Sequence, residues 1–274
     1  IRGDDHVDNT YRHLFLFRAL GATPPTYAHL PMIVNAAGKP YSKRDGDAFV
    51  GDFQAQGFLP EALFNYLTLL GWSPGDDREK MSRQELVAAF TLDRVQHAAA
   101  QMDIAKLTDL NGQYMAALPF ERFLTGCLEA AEALPWGATV DPDRFAAVAR
   151  LMQSRTKRFM QVEQWQYFFC EAIEYEEKGC RKFLQKPGIK DALARFEQEL
   201  DGQPFTPEAI EAATHRTTEA LEIPNGKLNQ PLRLAITGSS IGAGIYETIE
   251  ILGRECVLKR LGYTRASLCD TPQP

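Results

Sequence analysis

The segment GKPYSKRDG, residues 38–46, is the most informative stretch of the sequence, and it follows the apolar run His29 to Val34. We predict that this run is one buried strand. The loop after it carries two adjacent cations and a hydroxyl between two glycines, so it can close over a polyphosphate and stabilise a departing pyrophosphate. A solvated basic turn is the alternative. Taken alone, the loop leaves both interpretations open.

The residues before this loop are typical of an α/β unit. The apolar spacing predicts a helix over residues 8–20, ended by Gly21 and the pair Pro24-Pro25. A strand-like start, a helix, a strand and a loop form part of a parallel sheet, because crossovers of this kind usually connect parallel strands. The chain does not begin with methionine. We therefore expect it to open inside a longer domain whose first half lies upstream.

Beyond Phe53 the sequence predicts helices and no convincing strand. Helix starts are marked by Pro60, by the capping box of Ser82 to Glu85, and by the pairs 141–142 and 206–207. Apolar stripes predict further helices over 120–134 and 189–200, and residues 245–261 are typical of one last long helix. We predict that the chain is helical from residue 55 onward. The aromatic residues from Trp165 to Phe169 are interpreted mainly as core.

Composition limits the class of protein. The chain has 274 residues, 45% of them hydrophobic and 24% charged, which indicates two ordinary globular domains. It shows neither a signal peptide nor a run of about 18 apolar residues, so we expect a soluble, cytoplasmic protein without membrane contact. The five cysteines form no C-x-x-C pair, which argues against disulfides and zinc. The net charge is −6, yet residues 144–190 hold ten basic residues against five acidic ones.

Several segments together resemble one family. PYSKR at 40–44 resembles the KMSKS signature loop of class I aminoacyl-tRNA synthetases, in the S-K-R form of glutamyl-tRNA synthetases. The segment IRGDDH with Asn9-Thr10 is similar to the family's segment beside the glutamate and ATP sites. Further matches are HLPM at 29–32, LPEAL to LGW at 59–72, NQPLR to TG at 229–238 and ILGRE at 251–255. The family's H-x-G-H type signature is absent from the sequence, and Pro40 replaces the first lysine of the ideal loop, with Lys39 adjacent.

The resemblance implies a fold and a domain order. The expected fold class is α+α/β: part of a class I Rossmann-like nucleotide-binding domain, then a connecting domain and an all-α anticodon-binding domain. The expected bounds are 1–53 for the catalytic part with the signature loop, 54–117 for the helical connecting domain and 118–274 for the anticodon-binding region.

The resemblance also implies an activity, ATP-dependent glutamate–tRNA ligation. Glutamate attacks the α-phosphorus of ATP to give glutamyl-adenylate and pyrophosphate, and a ribose hydroxyl at the tRNA 3′ end then takes the acyl group. Because no protein nucleophile is needed, catalysis consists of positioning and charge stabilisation. The expected substrates and partners are ATP, L-glutamate and glutamate tRNA. Mg²⁺ is implied by the ATP chemistry, zinc is not expected, and the family suggests a monomer.

Site residues carried over from the family fall at both ends of the chain. The expected catalytic residues are Ser42, Lys43 and Arg44, and Lys43 is also expected to bind ATP together with Leu30 and Met32. Arg2 is expected to hold the glutamate side-chain carboxylate through paired hydrogen bonds, with His6 beside it. A surface ion pair of Arg2 with Asp4 or Asp5, and a helix-start role for His6, are the alternatives.

For tRNA, we expect contacts from Arg155, Lys157, Arg233 and Thr237, and Arg155 matches best the arginine that contacts the first anticodon base. Splayed bases stack on aromatic or guanidinium planes while cations bind phosphates, and both kinds of group are present here. A solvated helix face is the alternative for the basic run. Asn111 and Tyr114 match a segment that approaches the tRNA, although a cap and a core role explain them nearly as well.

Two readings of function stay open. In the first, the chain is part of a glutamyl-tRNA synthetase and is inactive alone, because it lacks half of the catalytic domain. In the second, it is a non-catalytic tRNA-binding module. A glutaminyl enzyme is disfavoured because strand signals for β-barrel anticodon domains are absent from the sequence, and the queuosine-glutamylating relative because it has no anticodon domain.

Overall fold

The computed structural model describes residues 1–42, 44, 46, 49–224 and 226–269. The chain divides into two compact units. The first unit is Ile1–Leu118 together with Thr156–Met160, and the second is Pro119–Arg155 together with Gln161–Pro274. The three-domain division at residues 53 and 117 stays a prediction.

The first unit combines short parallel strands with helices. Its strands are β1 (Arg2–Gly3), β2 (His29–Leu30), β3 (Ile33–Val34) and β4 (Ala100–Gln101), and its helices are α1 (Val7–Ala19), α2 (Val50–Ala55), α3 (Pro60–Leu69), α4 (Arg83–Ala89) and α5 (Ile104–Ala116). β1 pairs in parallel with β2, with Arg2 opposite His29. β3 pairs in parallel with β4, with Ile33 opposite Ala100. These parallel ladders, with α1 between β1 and β2, confirm the α/β interpretation of the first residues.

Two strand predictions are wrong. Residues 29–34 are not one buried strand, since they form β2 and β3, which pair with different partners, and Leu30 is 38% exposed. Pro31 lies between them and has no N–H for a ladder, so one continuous strand is broken there. The prediction of an all-helical chain after residue 55 misses β4. Its residues, Ala100 and Gln101, are only two and carry no alternating apolar pattern.

The predicted helix starts of the first unit are confirmed. Pro60 is the first residue of α3, where its missing N–H costs no hydrogen bond. At α4 the Ser82 hydroxyl accepts the Glu85 amide at 3.2 Å, and the Glu85 carboxylate accepts the Ser82 amide at 2.7 Å. The core of this unit is formed by Phe53, Phe58, Leu63, Tyr66, Met102, Leu107 and Leu110.

Residues 156–160 are held to the first unit by buried polar contacts. Asn111 is fully buried; its amide donates to the Lys157 carbonyl, and its Oδ1 accepts the Leu59 N–H at 2.9 Å. The Phe159 N–H donates to the Gly57 carbonyl at 3.1 Å. Gly57 has a φ of +78°, and a Cβ there would lie 2.7 Å from the Phe159 nitrogen. Glycine is therefore required for this close approach.

The second unit is helical. Its helices are α6 (Phe120–Glu132), α7 (Pro142–Met152), α8 (Glu177–Gly179), α9 (Ile189–Leu200), α10 (Pro207–Ala220), α11 (Gly226–Thr237), α12 (Ile245–Leu252) and α13 (Arg254–Ser267), with 3₁₀ turns at Gln153–Arg155 and Phe159–Phe168 and a π turn at Cys180–Leu184. The predicted helix starts are confirmed: the carboxylate of Asp141 accepts the Arg144 amide at 2.8 Å, and the hydroxyl of Thr206 accepts the Ala209 amide.

Packing of this unit explains the aromatic run. Trp165 is 1% exposed, and its ring centroid lies 5.8 Å from that of Phe145 and 6.4 Å from that of Phe123. Trp165 is therefore a core residue. The prediction of one long helix over 245–261 is wrong, because Gly253 adopts a φ of +81° and separates α12 from α13. α11 was not anticipated as a helix, since Pro231 lies inside it.

All five cysteines are free thiols, as the sequence predicts. Within the described ranges, no helix combines the length and the apolar composition that crossing a bilayer requires.

Candidate functional site

Arg2 lies at the edge of the β1–β2 ladder, and the structure leaves part of its guanidinium without a partner. Its backbone N–H donates to the Ala28 carbonyl at 3.0 Å, while its Nη1 is buried and makes no hydrogen bond. Asp5 contacts His6 instead, with 3.7 Å between Oδ2 and Nε2, so the alternative ion pair with Arg2 is not formed. A buried donor left unsatisfied costs about 1–3 kcal/mol. An arriving carboxylate would remove that cost.

His6 and Thr10 connect the start of α1 to β2. The Thr10 hydroxyl donates to the His6 carbonyl at 3.2 Å and lies 2.9 Å from Nε2 of His29. Because the hydroxyl proton is used on the carbonyl, its lone pair accepts from Nε2–H of His29. The Asn9 amide nitrogen lies 3.3 Å from Nδ1 of His6, which identifies Nδ1 as the acceptor. The helix-start role of His6 is thus present in the structure, and the ring is only partly buried.

The signature loop begins as a tight turn after β3. The Asn35 Oδ1 accepts the amides of Ala37 and Lys39 at 2.9 and 3.1 Å, and the Tyr41 N–H donates to the Ile33 carbonyl at 2.8 Å. Gly38 completes the turn with a φ of +72°. The sequence prediction of a glycine-bordered loop after a strand is confirmed here. Lys39 projects from this turn as an exposed residue.

The predicted catalytic residues are exposed where the structure describes them. The Arg44 amide donates to the Ser42 hydroxyl at 3.4 Å, and both residues face solvent. Lys43 lies outside the described residues. Of the two residues predicted to flank ATP, Leu30 is exposed and Met32 is half-buried, and the Met32 carbonyl accepts the Ala100 amide at 3.0 Å.

In the second unit the structure brings Arg155 and Arg233 to one tyrosine. Tyr167 is 7% exposed; burial raises its pKa to about 12, while the charges of Arg233 and Arg155 favour its ionised form. Burial lowers the pKa of Arg233, the Tyr167 phenol raises it, and nearby Arg155 lowers it. Arg155 is exposed, whereas Arg233 is half-buried and donates from Nη1 to the Ala243 carbonyl at 2.6 Å. Two guanidinium groups close together form a surface suited to an anion.

Glycine is required beside this pair. A Cβ at Gly242 would lie 2.8 Å from Nη1 of Arg233 and 3.9 Å from the Tyr167 hydroxyl oxygen. The backbone therefore passes directly over the Arg233 guanidinium. Any side chain at position 242 would displace that group or the loop that carries Ala243.

The loop after α11 is fastened by one carboxylate. Glu176 accepts hydrogen bonds from the Ser239 hydroxyl at 2.5 Å, from the Ser240 hydroxyl at 2.7 Å and from the Ser240 amide at 3.1 Å. Burial raises the pKa of Glu176, but these hydrogen bonds outweigh it and the net shift is downward. Thr237 is 5% exposed and its hydroxyl donates to the Arg233 carbonyl at 2.8 Å, so it serves the turn from within.

Lys157, the remaining residue predicted to contact tRNA, belongs to the first unit. Its Nζ lies 2.5 Å from Oδ1 of Asp109, in an exposed ion pair. Asn111 and Tyr114 both have structural contacts: the Tyr114 hydroxyl oxygen lies 2.8 Å from Oδ1 of Asn65 and 2.6 Å from the Met81 carbonyl. Their cap-and-core explanation is therefore present in the structure.

Sequence reasoning missed three residues of these sites. His29 was assigned only to a strand, Tyr167 only to packing, and Glu176 was not considered. None of the three belongs to a local motif, and each becomes recognisable only through a partner distant in sequence. Among the described residues no group of three or more His, Cys, Asp or Glu side chains is arranged to hold a metal ion.

Comparison with known proteins gives two family matches. A family described as "tRNA synthetases class I (E and Q), catalytic domain" matches residues 1–109, and one described as "Anticodon binding domain" matches residues 127–265, half of the chain. The parallel ladders and the signature loop fall in the first region, and the pair Arg155 and Arg233 falls in the second.

Individual relatives agree with these matches. The glutamate–tRNA ligase of Desulforudis audaxviator is 40% identical over 95% of this chain and 54% of its own length, and that of Thermobifida fusca is 37% identical over 95% and 56%. The crystal structure of a glutamate tRNA ligase from Elizabethkingia meningosepticum, in complex with its amino acid, superposes with a TM-score of 0.80 and 26% identity, over 97% of this chain and 56% of that one. The chain spans about half the length of the relatives it matches.

The fold and the two matched regions define a class I aminoacyl-tRNA synthetase with a helical anticodon-binding region, which confirms the predicted fold class. The chain belongs to the glutamate–tRNA ligase family within that class, as the sequence resemblance predicts.

Proposed function

We propose that this chain supplies the anticodon-reading surface and part of the ATP and glutamate site of a glutamate–tRNA ligase. The observation that carries the proposal is the arrangement of Arg155 and Arg233 around buried Tyr167, inside the region similar to anticodon-binding domains. Arg155 is exposed and free to stack on or hydrogen-bond a base, while Arg233 is fixed by the Ala243 carbonyl. Single-stranded loops are read by this combination of a planar cation and a rigid support.

The glutamate end of the proposal rests on Arg2. Its buried Nη1 has no hydrogen-bond partner, and a substrate carboxylate would provide a charged acceptor of the right geometry. The same contact rejects glutamine, because an amide places a donor where Arg2 needs an acceptor. His6, Thr10 and His29 lie next to this strand and hold the start of α1 in place.

For ATP, the proposal assigns charge stabilisation to the signature loop. Ser42, Lys43 and Arg44 would neutralise the pyrophosphate as it departs, and Leu30 and Met32 would lie along the nucleotide. Because the described residues provide no cluster of metal-binding side chains, Mg²⁺ enters this proposal only as the ion that accompanies ATP. L-glutamate and glutamate tRNA complete the set of substrates, and a monomer in the cytoplasm is the proposed working form.

We propose further that the 274 residues alone do not form glutamyl-adenylate. The chain covers 54% of the ligase from Desulforudis audaxviator, and the sequence has no H-x-G-H type motif to orient ATP. The measurement is glutamate-dependent exchange of pyrophosphate into ATP. Exchange at background supports this proposal, and exchange above background contradicts it. A non-catalytic tRNA-binding role predicts the same background rate, but it also predicts that Ser42→Ala and Lys43→Ala have no effect in the full-length ligase.

The anticodon proposal is tested with Arg155→Ala and a matched control, Arg195→Ala. Arg195 is also on the second unit and is already paired with Glu199 at 2.5 Å. Both variants remove one positive charge, so a general electrostatic effect is the same for both. We expect Arg155→Ala to weaken binding of a glutamate tRNA transcript by about 1–3 kcal/mol, the usual value of one base contact. Equal affinities of the two variants would contradict the assignment.

A further inference from the structure

A cavity in the second unit, separate from the pair Arg155 and Arg233, is lined mainly by cations. It has a volume of about 410 Å³ and lies where α7 begins and where α12 meets α13. Its charged lining residues are Arg144, Arg254, Lys259, Arg260, Glu171 and Glu255. Four positive charges therefore face two negative ones.

Arg260 is the buried member of this group. It is 4% exposed, and it donates from Nη1 to the Ile236 carbonyl at 2.5 Å and from Nη2 to the Cys170 carbonyl at 2.7 Å. Both acceptors are neutral, so within the described ranges the buried charge has no carboxylate partner. Burial accordingly lowers the pKa of Arg260. Buried charges are normally paired, so an unpaired one requires an explanation.

Two donors at this cavity are also unsatisfied. The Nε atoms of Arg260 and Arg144 are both buried and make no hydrogen bond. Of the acidic residues, Glu171 has a side chain that is 90% exposed and pairs with Lys259 at 3.1 Å. The two arginines therefore keep hydrogen-bonding capacity and positive charge that the protein itself does not use.

The first turn of α13 adds backbone donors. Arg254, Glu255 and Cys256 line the cavity at the start of this 14-residue helix, and its N-cap, Gly253, has no side chain to bond the free amides. Free amides and the helix dipole favour an anion at this end. Together with the unpartnered guanidinium nitrogens, they provide donors on two sides of one cavity.

We propose that this cavity binds a phosphate group. A phosphate carries up to two negative charges and several acceptor oxygens, which suits guanidinium nitrogens and helix amides together. The cavity adjoins the proposed anticodon surface through Arg260, whose charge acts on Tyr167 together with those of Arg155 and Arg233. The phosphate is therefore one of the tRNA backbone or a free phosphate in solution. The first source rests on the proposed function, and the second does not.

The experiment compares Arg144→Ala with Arg150→Ala. Both residues are on α7 and both changes remove one charge, but Arg150 stacks on Phe120 and does not line the cavity. Lys259→Gln is a second cavity variant with an exposed side chain, in case Arg144→Ala fails to fold. One arm titrates inorganic phosphate by calorimetry. The other measures affinity for a glutamate tRNA transcript over a salt series, with and without a changed anticodon.

We expect phosphate affinity to fall at least about fivefold in the cavity variants and to stay within about twofold in Arg150→Ala, since one charge-assisted contact is lost only in the former. If the phosphate belongs to tRNA, the salt slope also falls by about one and both transcripts weaken equally. An effect on inorganic phosphate alone identifies a free-phosphate site. The proposal is overturned if neither arm distinguishes the cavity variants from Arg150→Ala. Failure of the anticodon proposal appears separately, as a wild type that binds both transcripts equally.

Discussion

Replacing Gly238 by alanine should strongly destabilise the second unit. Gly238 has a φ of +76°, and a Cβ there would lie 1.9 Å from the Glu174 carbonyl oxygen and 3.5 Å from Cα of Tyr175. A left-handed conformation costs a residue with a Cβ about 1–2 kcal/mol. Relieving the clash requires a backbone shift, which costs about 1–3 kcal/mol more. The total is about 2–5 kcal/mol, a large part of the stability of a typical domain.

The shift has a structural consequence beyond stability. The Gly238 carbonyl accepts the Glu176 amide at 2.8 Å, and the Glu176 side chain holds Ser239 and Ser240. Moving the two backbones apart therefore loosens the loop that supplies the Ala243 carbonyl to Arg233. We expect Gly238→Ala to weaken tRNA binding as well.

The matched control is Gly188→Ala. Gly188 has a φ of +80°, but nothing lies within 4 Å of its Cβ position, so only the conformational cost of about 1–2 kcal/mol applies. Urea unfolding is followed by tryptophan fluorescence in a Trp72→Phe background, which leaves Trp136 and Trp165, both in the second unit. Gly238→Ala should be less stable than the control by about 1–3 kcal/mol. Equal stability of the two variants would refute the close approach at residue 238.

Three other changes have defined outcomes. Because the pKa of Glu176 is held below its ordinary value, its stabilising effect is complete above that value and disappears as the pH falls through the depressed one; the stability difference between wild type and Glu176→Gln, measured by urea unfolding, should therefore shrink on going from pH 6 to pH 3, and a difference that grows would contradict this. Asn111→Ala leaves the Leu59 N–H and the Lys157 carbonyl unpaired, so the first unit should lose about 1–3 kcal/mol in thermal unfolding, whereas a loss no larger than that of exposed Asn35→Ala would be unexpected. Trp165→Ala should cost about 3–5 kcal/mol by circular dichroism, and a cost below about 1 kcal/mol would exclude Trp165 from the core.

Local signals account for most of the fold that the sequence predicts. Helix starts at Pro60 and Ser82 depend on side chains that satisfy nearby amides, so a short segment contains all the information. Strands depend on partners elsewhere: β3 pairs with β4 across more than 60 residues, and neither two-residue strand has a pattern of its own. The break at Gly253 needs a positive φ, which glycine permits and the sequence does not announce.

The candidate sites divide in the same way. The signature loop and Arg2 are recognisable from adjacent residues, whereas Tyr167, His29 and Glu176 depend on tertiary contacts. Tyr167 lies 66 positions before Arg233 in the chain, yet it brings that arginine next to Arg155. Periodicity identifies Tyr167 as apolar and buried, but only the fold shows which charges surround its hydroxyl.

The most direct test of the account is the affinity of this chain for glutamate tRNA transcripts, wild type and with the first anticodon base changed, measured across a salt series. Salt separates the phosphate contacts, which both transcripts share, from the base contact. We predict that the anticodon change weakens binding by about 1–3 kcal/mol at every salt concentration and leaves the salt slope unchanged. Equal affinities for the two transcripts at every salt concentration would contradict the assignment of Arg155 and Arg233 as the anticodon-reading pair.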